Sequence, residues 1–102
     1  MSYSLKDLMQ LIVSEQGEAI HLHDGEAPVL EIRGGLHRIE GPRLNSGEAQ
    51  AMFQGVAPKE EIQEATRNRL VSFEFRFSEN ASFRMMFFRE DGTDRIELRR
   101  VL

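Results

Sequence analysis

The sequence predicts one α+β domain, over residues 1–102, in which three helices lie mainly on one face of an antiparallel sheet of about six strands. Helix-like and strand-like segments come in blocks: one helix, three short strands, two helices and three longer strands. Turn signals such as Asp24-Gly25 and Asp91-Gly92 join neighbouring strands, as in antiparallel hairpins. A chain of 102 residues with 40% hydrophobic content can bury a single modest core.

The first helix is predicted over residues 4–16, because its apolar residues follow the i, i+3, i+4, i+7 spacing of one helix face. Those residues are Leu5, Leu8, Met9, Ile12 and Val13. Ser4 is a suitable N-cap, since its hydroxyl can accept a hydrogen bond from the first turn. Gly17 is predicted to end the helix, because glycine adopts the left-handed conformation without a Cβ clash.

Three short strands are predicted next, at residues 19–23, 28–33 and 36–39. The pair Gly34-Gly35 is predicted to form the tight turn between the second and third strands. The run Asn45-Ser46-Gly47-Glu48 resembles a capping box and predicts a second helix, with Ala49, Met52 and Phe53 on one side. Pro58 is predicted to open a third helix that continues to about residue 68.

The last third of the chain predicts an antiparallel meander of strands at residues 72–77, 83–88 and 95–101. In the middle strand both faces carry apolar side chains. Phe83, Met85 and Phe87 would lie on one face, and Met86 and Phe88 on the other. Only one face can pack on the helices, so the other face is predicted to expose an apolar patch. Such a patch usually marks a protein interface.

Composition removes several classes of function. The formal charge of −4 favours neither nucleic acid nor anionic lipid as a partner, and without cysteine there is no disulfide or thiol chemistry. No apolar run approaches the ~20 residues that span a bilayer. The start of the chain does not resemble a signal peptide, so we expect a cytoplasmic protein. The phosphate-binding motif G-x-x-x-x-G-K-[ST] does not occur, so this sequence is not expected to hydrolyse ATP, and we predict no catalytic residue and no cofactor.

Histidines offer one possible metal site. His21 and His23 lie two residues apart on a predicted strand and so share a face, and His37 could supply a third ligand. The alternative is that His21 is a framework residue and the other two are exposed. We favour the alternative and predict no metal site.

Arginines near the end of the sequence could receive phosphate, because a guanidinium matches the geometry of such oxyanions. The residues concerned are Arg84, Arg89, Arg99 and Arg100. The alternative is pairing with carboxylates on neighbouring strands. The available carboxylates are Glu74, Glu90, Asp94 and Glu97. We favour pairing.

Three short motifs, in order along the chain, resemble a known family. Gly17 is followed by Ile20-His21-Leu22, then by Pro28, Leu30, Ile32 and Gly34, and later by Phe83-Arg84-Met85-Met86-Phe87. Their order and spacing are similar to the N-terminal domain of the secretion ATPase superfamily, which contains the type IV pilus and type II secretion motors. Framework positions match that family. Several of its polar positions do not, such as the arginine replaced by Glu31.

This resemblance implies a PAS-like fold without the catalytic RecA-like domain. In the family, this domain packs on the catalytic domain of a neighbouring subunit in a hexamer, and its arginines reach the nucleotide. We therefore expect a non-catalytic assembly or regulatory module that contacts a secretion or pilus motor ATPase or a pilus-base protein, or that forms a homo-oligomer. The alternative is a PAS-like sensor of a small ligand. The expected interaction residues are Arg84, Met86, Phe88, Arg89 and Arg99.

Overall fold

The computed structural model describes residues 3–101, so residues 1–2 and 102 of the predicted domain lie outside it. The described part contains three helices and six strands, the α+β class that the sequence predicts. The helices are α1 (Leu5–Ser14), α2 (Glu48–Val56) and α3 (Lys59–Ala65). The strands are β1 (Ala19–His23), β2 (Val29–Ile32), β3 (Gly35–Arg38), β4 (Leu70–Ser78), β5 (Ala81–Glu90) and β6 (Thr93–Val101).

All six strands form one antiparallel sheet in the order β3-β2-β1-β6-β5-β4. The first and last strands meet at its centre, where Ile20 lies opposite Leu98 and Leu22 opposite Ile96. The central residues are therefore flanked on both sides by paired strands, while β3 and β4 form the two edges. No helix among residues 3–101 has the length and apolar character needed to cross a bilayer.

Alternation along the strands places the core on one face of the sheet. In β5, Phe83, Met85 and Phe87 are buried, whereas Arg84 is exposed. The buried set joins the apolar sides of α1 and α2, which contribute Ile12 and Phe53. The helices therefore cover one face of the sheet, as predicted.

The two ends of α1 differ in how well the sequence predicts them. Ser4 is the N-cap, and its Oγ accepts a hydrogen bond from the Asp7 backbone N–H at 3.4 Å. The prediction for Gly17 is wrong, because the left-handed residue is Gln16, with a φ of 56°. Gly17 is buried, and a Cβ there would lie 2.9 Å from Leu30 Cδ1. Any side chain at this position would therefore crowd β2, and glycine allows the close packing.

The start of α2 uses half of the predicted capping box. The Glu48 carboxylate accepts a hydrogen bond from the Asn45 backbone N–H at 2.8 Å. The other half comes from Asp24, just after β1, whose carboxylate accepts from the Gly47 and Ala49 N–H groups at 2.9 and 3.1 Å. A carboxylate at this helix end also suits the helix dipole.

Two further boundaries are shifted. The β2–β3 turn is centred on Arg33 and Gly34, with φ of 52° and 79°, which is a type I′ geometry, so Gly35 belongs to β3. Helix α3 ends at Ala65 instead of about residue 68, because the N–H groups of Arg67 and Asn68 both donate to the Glu64 carbonyl and continue the chain as a turn.

Candidate interaction surface

The face of the sheet opposite the helices is the candidate site, and we call it the open face. It is formed by alternate residues of all six strands, because residues directly opposite each other on paired strands point to the same side of the sheet. Its main side chains are His21, His23, Val29, Glu31, Leu36, Leu70, Ser72, Glu74, Arg84, Met86, Phe88, Arg95, Glu97 and Arg99.

At the centre of the open face, Arg99 lies between two carboxylates. Its two terminal nitrogens donate to Glu31 at 3.3 and 3.2 Å, and its Nε donates to Glu97 at 3.4 Å. His21 Nε2 lies 3.0 Å from a Glu31 oxygen. The side chain of Glu31 is only 16% exposed, so these four groups form a compact network that is partly shielded from water.

This network favours the charged forms of Glu31 and Arg99. The hydrogen bond from Arg99, followed by the one from His21, lowers the pKa of Glu31 below its ordinary value of 4.5. The same bonds to Glu31 and Glu97 raise the pKa of Arg99. An anion from solution would have to displace two carboxylates before it could bind Arg99.

Other arginines are held in the same way, as the pairing interpretation predicts. Arg84 donates to Glu74, and to Ser72 Oγ at 3.2 Å. Arg89 Nε donates to Asp94 at 2.9 Å, a bond that raises the pKa of Arg89. Arg95 lies 3.7 Å from Glu90. Arg100 instead donates to the Asn80 carbonyl at 3.5 Å.

An apolar patch lies at the β4–β5 end of the open face and consists of Leu70, Met86 and Phe88. Leu70 pairs with Phe88 across the two strands and is 52% exposed, while Met86 and Phe88 are half-buried. The structure therefore places apolar side chains on the uncovered side of β5, where the alternation predicts them. Exposed apolar area beside polar residues is typical of a contact surface.

Four of the five expected interaction residues share the open face: Arg84, Met86, Phe88 and Arg99. Arg89 does not. It lies two residues after buried Phe87 and so is on the helix-covered side, where it lines a groove of about 440 Å³ between α2, α3 and β5. The expected set does not include Leu70, which lies just before the predicted start of β4, or Glu31, which anchors the network around Arg99.

The three histidines do not converge. His37 pairs with buried Leu30, so it lies on the opposite side of the sheet from His21 and His23. His23 is hydrogen-bonded to Glu26. In the part of the chain that the structure describes, no group of three or more His, Asp or Glu side chains is arranged to hold a metal ion.

The phenylalanines of the helix-covered face pack on one another. Phe53 stacks on Phe87, with 4.3 Å between ring centroids and 8° between planes, and lies 6.2 Å from Phe73. Phe75 and Phe83 are 6.3 Å apart. These rings make up much of the core, and the groove beside α3 is where Phe53 and Phe87 line a solvent-facing cavity.

Several solved ATPase structures contain a segment with this fold. The pilus retraction motor PilT with bound ADP matches with a TM-score of 0.85 at 23% identity, over 96% of this chain and 29% of that chain. The ATPase DotB of Legionella pneumophila matches with a TM-score of 0.75 at 17% identity, over 100% of this chain and 30% of that one. DotB of Yersinia pseudotuberculosis matches with a TM-score of 0.79 at 14% identity, over 99% and 31%.

These matches show that the chain has the fold of one segment of these ATPases, and they confirm the predicted resemblance at that level. The chain spans less than a third of the length of each ATPase. No protein-family model matches the sequence, and no curated protein does.

Proposed function

We propose that this chain is a non-catalytic assembly or regulatory module, related to type IV pilus and secretion motor ATPases, that acts by protein–protein contact through the open face. The observation that carries the proposal is the apolar patch of Leu70, Met86 and Phe88 on a sheet face that the helices do not cover. The fold likeness to a segment of PilT supports a motor ATPase or a pilus-base protein in the cytoplasm as the partner.

Contact is favoured over chemistry for two reasons. The sequence has no G-x-x-x-x-G-K-[ST] motif, and the structural match covers only 29% of the PilT chain. In addition, Arg84 and Arg99 are engaged by carboxylates of their own chain, so these arginines are poorly placed to receive a nucleotide phosphate. We infer that these arginines pair within the PAS-like domain instead of contacting nucleotide.

The arrangement of the open face suits a contact with an apolar centre and a polar rim. The patch supplies side chains that gain stability when removed from water. Arg84 and Glu74 lie directly beside it and already neutralise each other, so a partner can cover them without leaving an unpaired charge. A homo-oligomer formed through the same face would use the same contacts.

The test is binding of the purified chain to the purified motor ATPase of the same organism, measured by biolayer interferometry. We expect Phe88→Asp to weaken binding by at least about tenfold, because it places a charge in the apolar centre. Arg84→Glu should also weaken it. Gln10→Asp is the control: it places the same charge at an exposed residue of α1, outside the open face, and should bind normally.

Circular dichroism and thermal melts establish that each variant is folded. If folded Phe88→Asp and Arg84→Glu both bind as tightly as the wild type, the open face is not the contact surface. If the wild type binds neither the motor nor a pilus-base protein nor itself, the interaction module is the wrong class of function.

The alternative function, a PAS-like sensor of a small ligand, is favoured by the groove between α2, α3 and β5. Its lining brings Phe53 and Phe87 together with Arg67 and Arg69, which suits an anionic ligand with an apolar part. Native mass spectrometry of the freshly purified chain checks this. A bound mass that is lost in Arg69→Glu would support the sensor, and an unliganded chain whose melting temperature is unchanged by metabolites would oppose it.

A further inference from the structure

The edge strand β4 has backbone groups that point away from the sheet. The Arg89 N–H donates to the Arg69 carbonyl, which fixes the phase of hydrogen bonding between β4 and β5. Val71, Phe73 and Phe75 therefore bond to β5, and the N–H and C=O groups of Ser72, Glu74 and Arg76 face outward. Among residues 3–101, no other strand pairs with this edge.

The same residues place their side chains on the open face, and their charges alternate. Glu74 already contacts Arg84, whereas Arg76 has no carboxylate within 4.0 Å in residues 3–101. Ser72 and Ser78 flank the two charges. An edge strand that offers unpaired backbone groups is a template for a further strand.

We propose that β4 pairs antiparallel with β4 of a second copy of this chain, centred on Phe75, so that Glu74 of each copy lies opposite Arg76 of the other. Outward-facing residues must meet outward-facing residues, which leaves few registers. Registers centred on Glu74 or on Arg76 bring like charges directly opposite each other and are disfavoured. Centring on Phe75 gives two opposite-charge pairs related by the two-fold axis.

This register also brings aromatic side chains together on the helix-covered side of the sheet. Phe75 is only partly buried in one copy, and it would lie beside Phe75 of the second copy. Such a cross-strand aromatic pair adds to the backbone hydrogen bonds. The pairing is isologous, so it closes at two copies. The opposite edge, β3, has only four residues and is a poorer template for continued growth.

The experiment is sedimentation velocity of the purified chain over a range of concentrations. We expect a reversible dimer in the wild type. Glu74→Arg and Arg76→Glu should each weaken it by about tenfold or more, since each places like charges opposite one another twice. Glu79→Arg, the same charge change in the β4–β5 turn, is the control and should dimerise normally.

A mixture of the two single variants provides the decisive arm. Glu74→Arg has two arginines on the edge and Arg76→Glu has two glutamates, so the pair should form a heterodimer although neither dimerises well alone. The double variant Glu74→Arg/Arg76→Glu should also recover the dimer. A wild type that stays monomeric, or a dimer unaffected by both single variants, overturns the proposal.

These experiments distinguish pairing through the β4 edge from contacts made through the open face. A dimer lost in Phe88→Asp but not rescued by mixing the charge variants would place self-association on the open face and exclude the β4 edge. Conversely, edge pairing can hold while motor binding fails, because edge pairing depends on the outward backbone groups of β4 and on Arg76, whereas the proposed motor contact is centred on Leu70, Met86 and Phe88.

Discussion

The two faces of the sheet are built from the same strands but depend on different interactions. Along β5, Phe83 and Met85 are completely buried against the helices, and the alternating Arg84 and Met86 lie on the uncovered side. One face is stabilised by removal of apolar side chains from water, and the other is organised by ion pairs around Arg99. We therefore expect substitutions on one face of β5 to change stability and substitutions on the other to change the proposed protein contact.

Truncation on the two faces should give the largest contrast. Phe83→Ala removes a ring that packs on Phe75 and Phe77 and should lower the free energy of unfolding by about 3–5 kcal/mol. Met86→Ala, three positions along the same strand and half-buried on the open face, should cost less than about 1.5 kcal/mol. Urea unfolding followed by circular dichroism measures both. Equal losses would show that the open face is part of the core.

A second contrast uses two glycines. Gly17→Ala introduces a methyl group 2.9 Å from Leu30 Cδ1 and 3.3 Å from the Glu31 carbonyl oxygen, and should destabilise the fold by about 1–3 kcal/mol through overpacking. Gly55→Ala, in α2, meets no atom within 4 Å and should stabilise the helix by about 0.5–1 kcal/mol. Thermal melts of the two variants should shift in opposite directions. A tolerated Gly17→Ala would mean that the α1–β2 contact is looser than its geometry implies.

Much of the fold follows from local pattern. The period-two alternation of Phe73, Phe75 and Phe77 identifies the meander, and Asp91-Gly92 gives its second turn, with positive φ at both residues. The alternation also predicts which side of β5 is exposed. It does not predict that Glu74 lies opposite Arg84, because a regular two-residue turn between β4 and β5 would pair Glu74 with Met85, and an irregularity between Arg76 and Ser78 shifts the register by one residue.

What the sequence could not supply is long-range pairing. Asp24 caps α2 from 23 residues away, and Arg99 bonds Glu31 from 68 residues away, so neither contact leaves a periodic signal. Arg89, which is also an expected interaction residue, is a case of a different kind. Arg89 lies two residues after Phe87 on the same strand, so the two side chains point to the same side of the sheet. The alternation alone therefore places Arg89 on the helix-covered side.

The smallest expected effect comes from the ion pairs of Glu31 and is seen best in the pH dependence of the free energy of unfolding. Glu31→Gln removes the charge that holds Arg99 and His21 and should lower the free energy of unfolding by about 1 kcal/mol at neutral pH. Because the pKa of Glu31 is lowered in the folded protein, its contribution is fully present above the ordinary value of 4.5. The contribution is lost as the pH falls through the lower folded pKa.

The difference in unfolding free energy between the wild type and Glu31→Gln should therefore stay constant from neutral pH to about 4.5 and shrink below it. Glu40→Gln, the same substitution at an exposed loop position, controls for the change in net charge and should show little difference at any pH. Urea titrations at a series of pH values measure the three proteins side by side. A constant gap at acidic pH would mean that the carboxylate of Glu31 contributes by shape alone, and that the open face, like the helix-covered face, is held by packing.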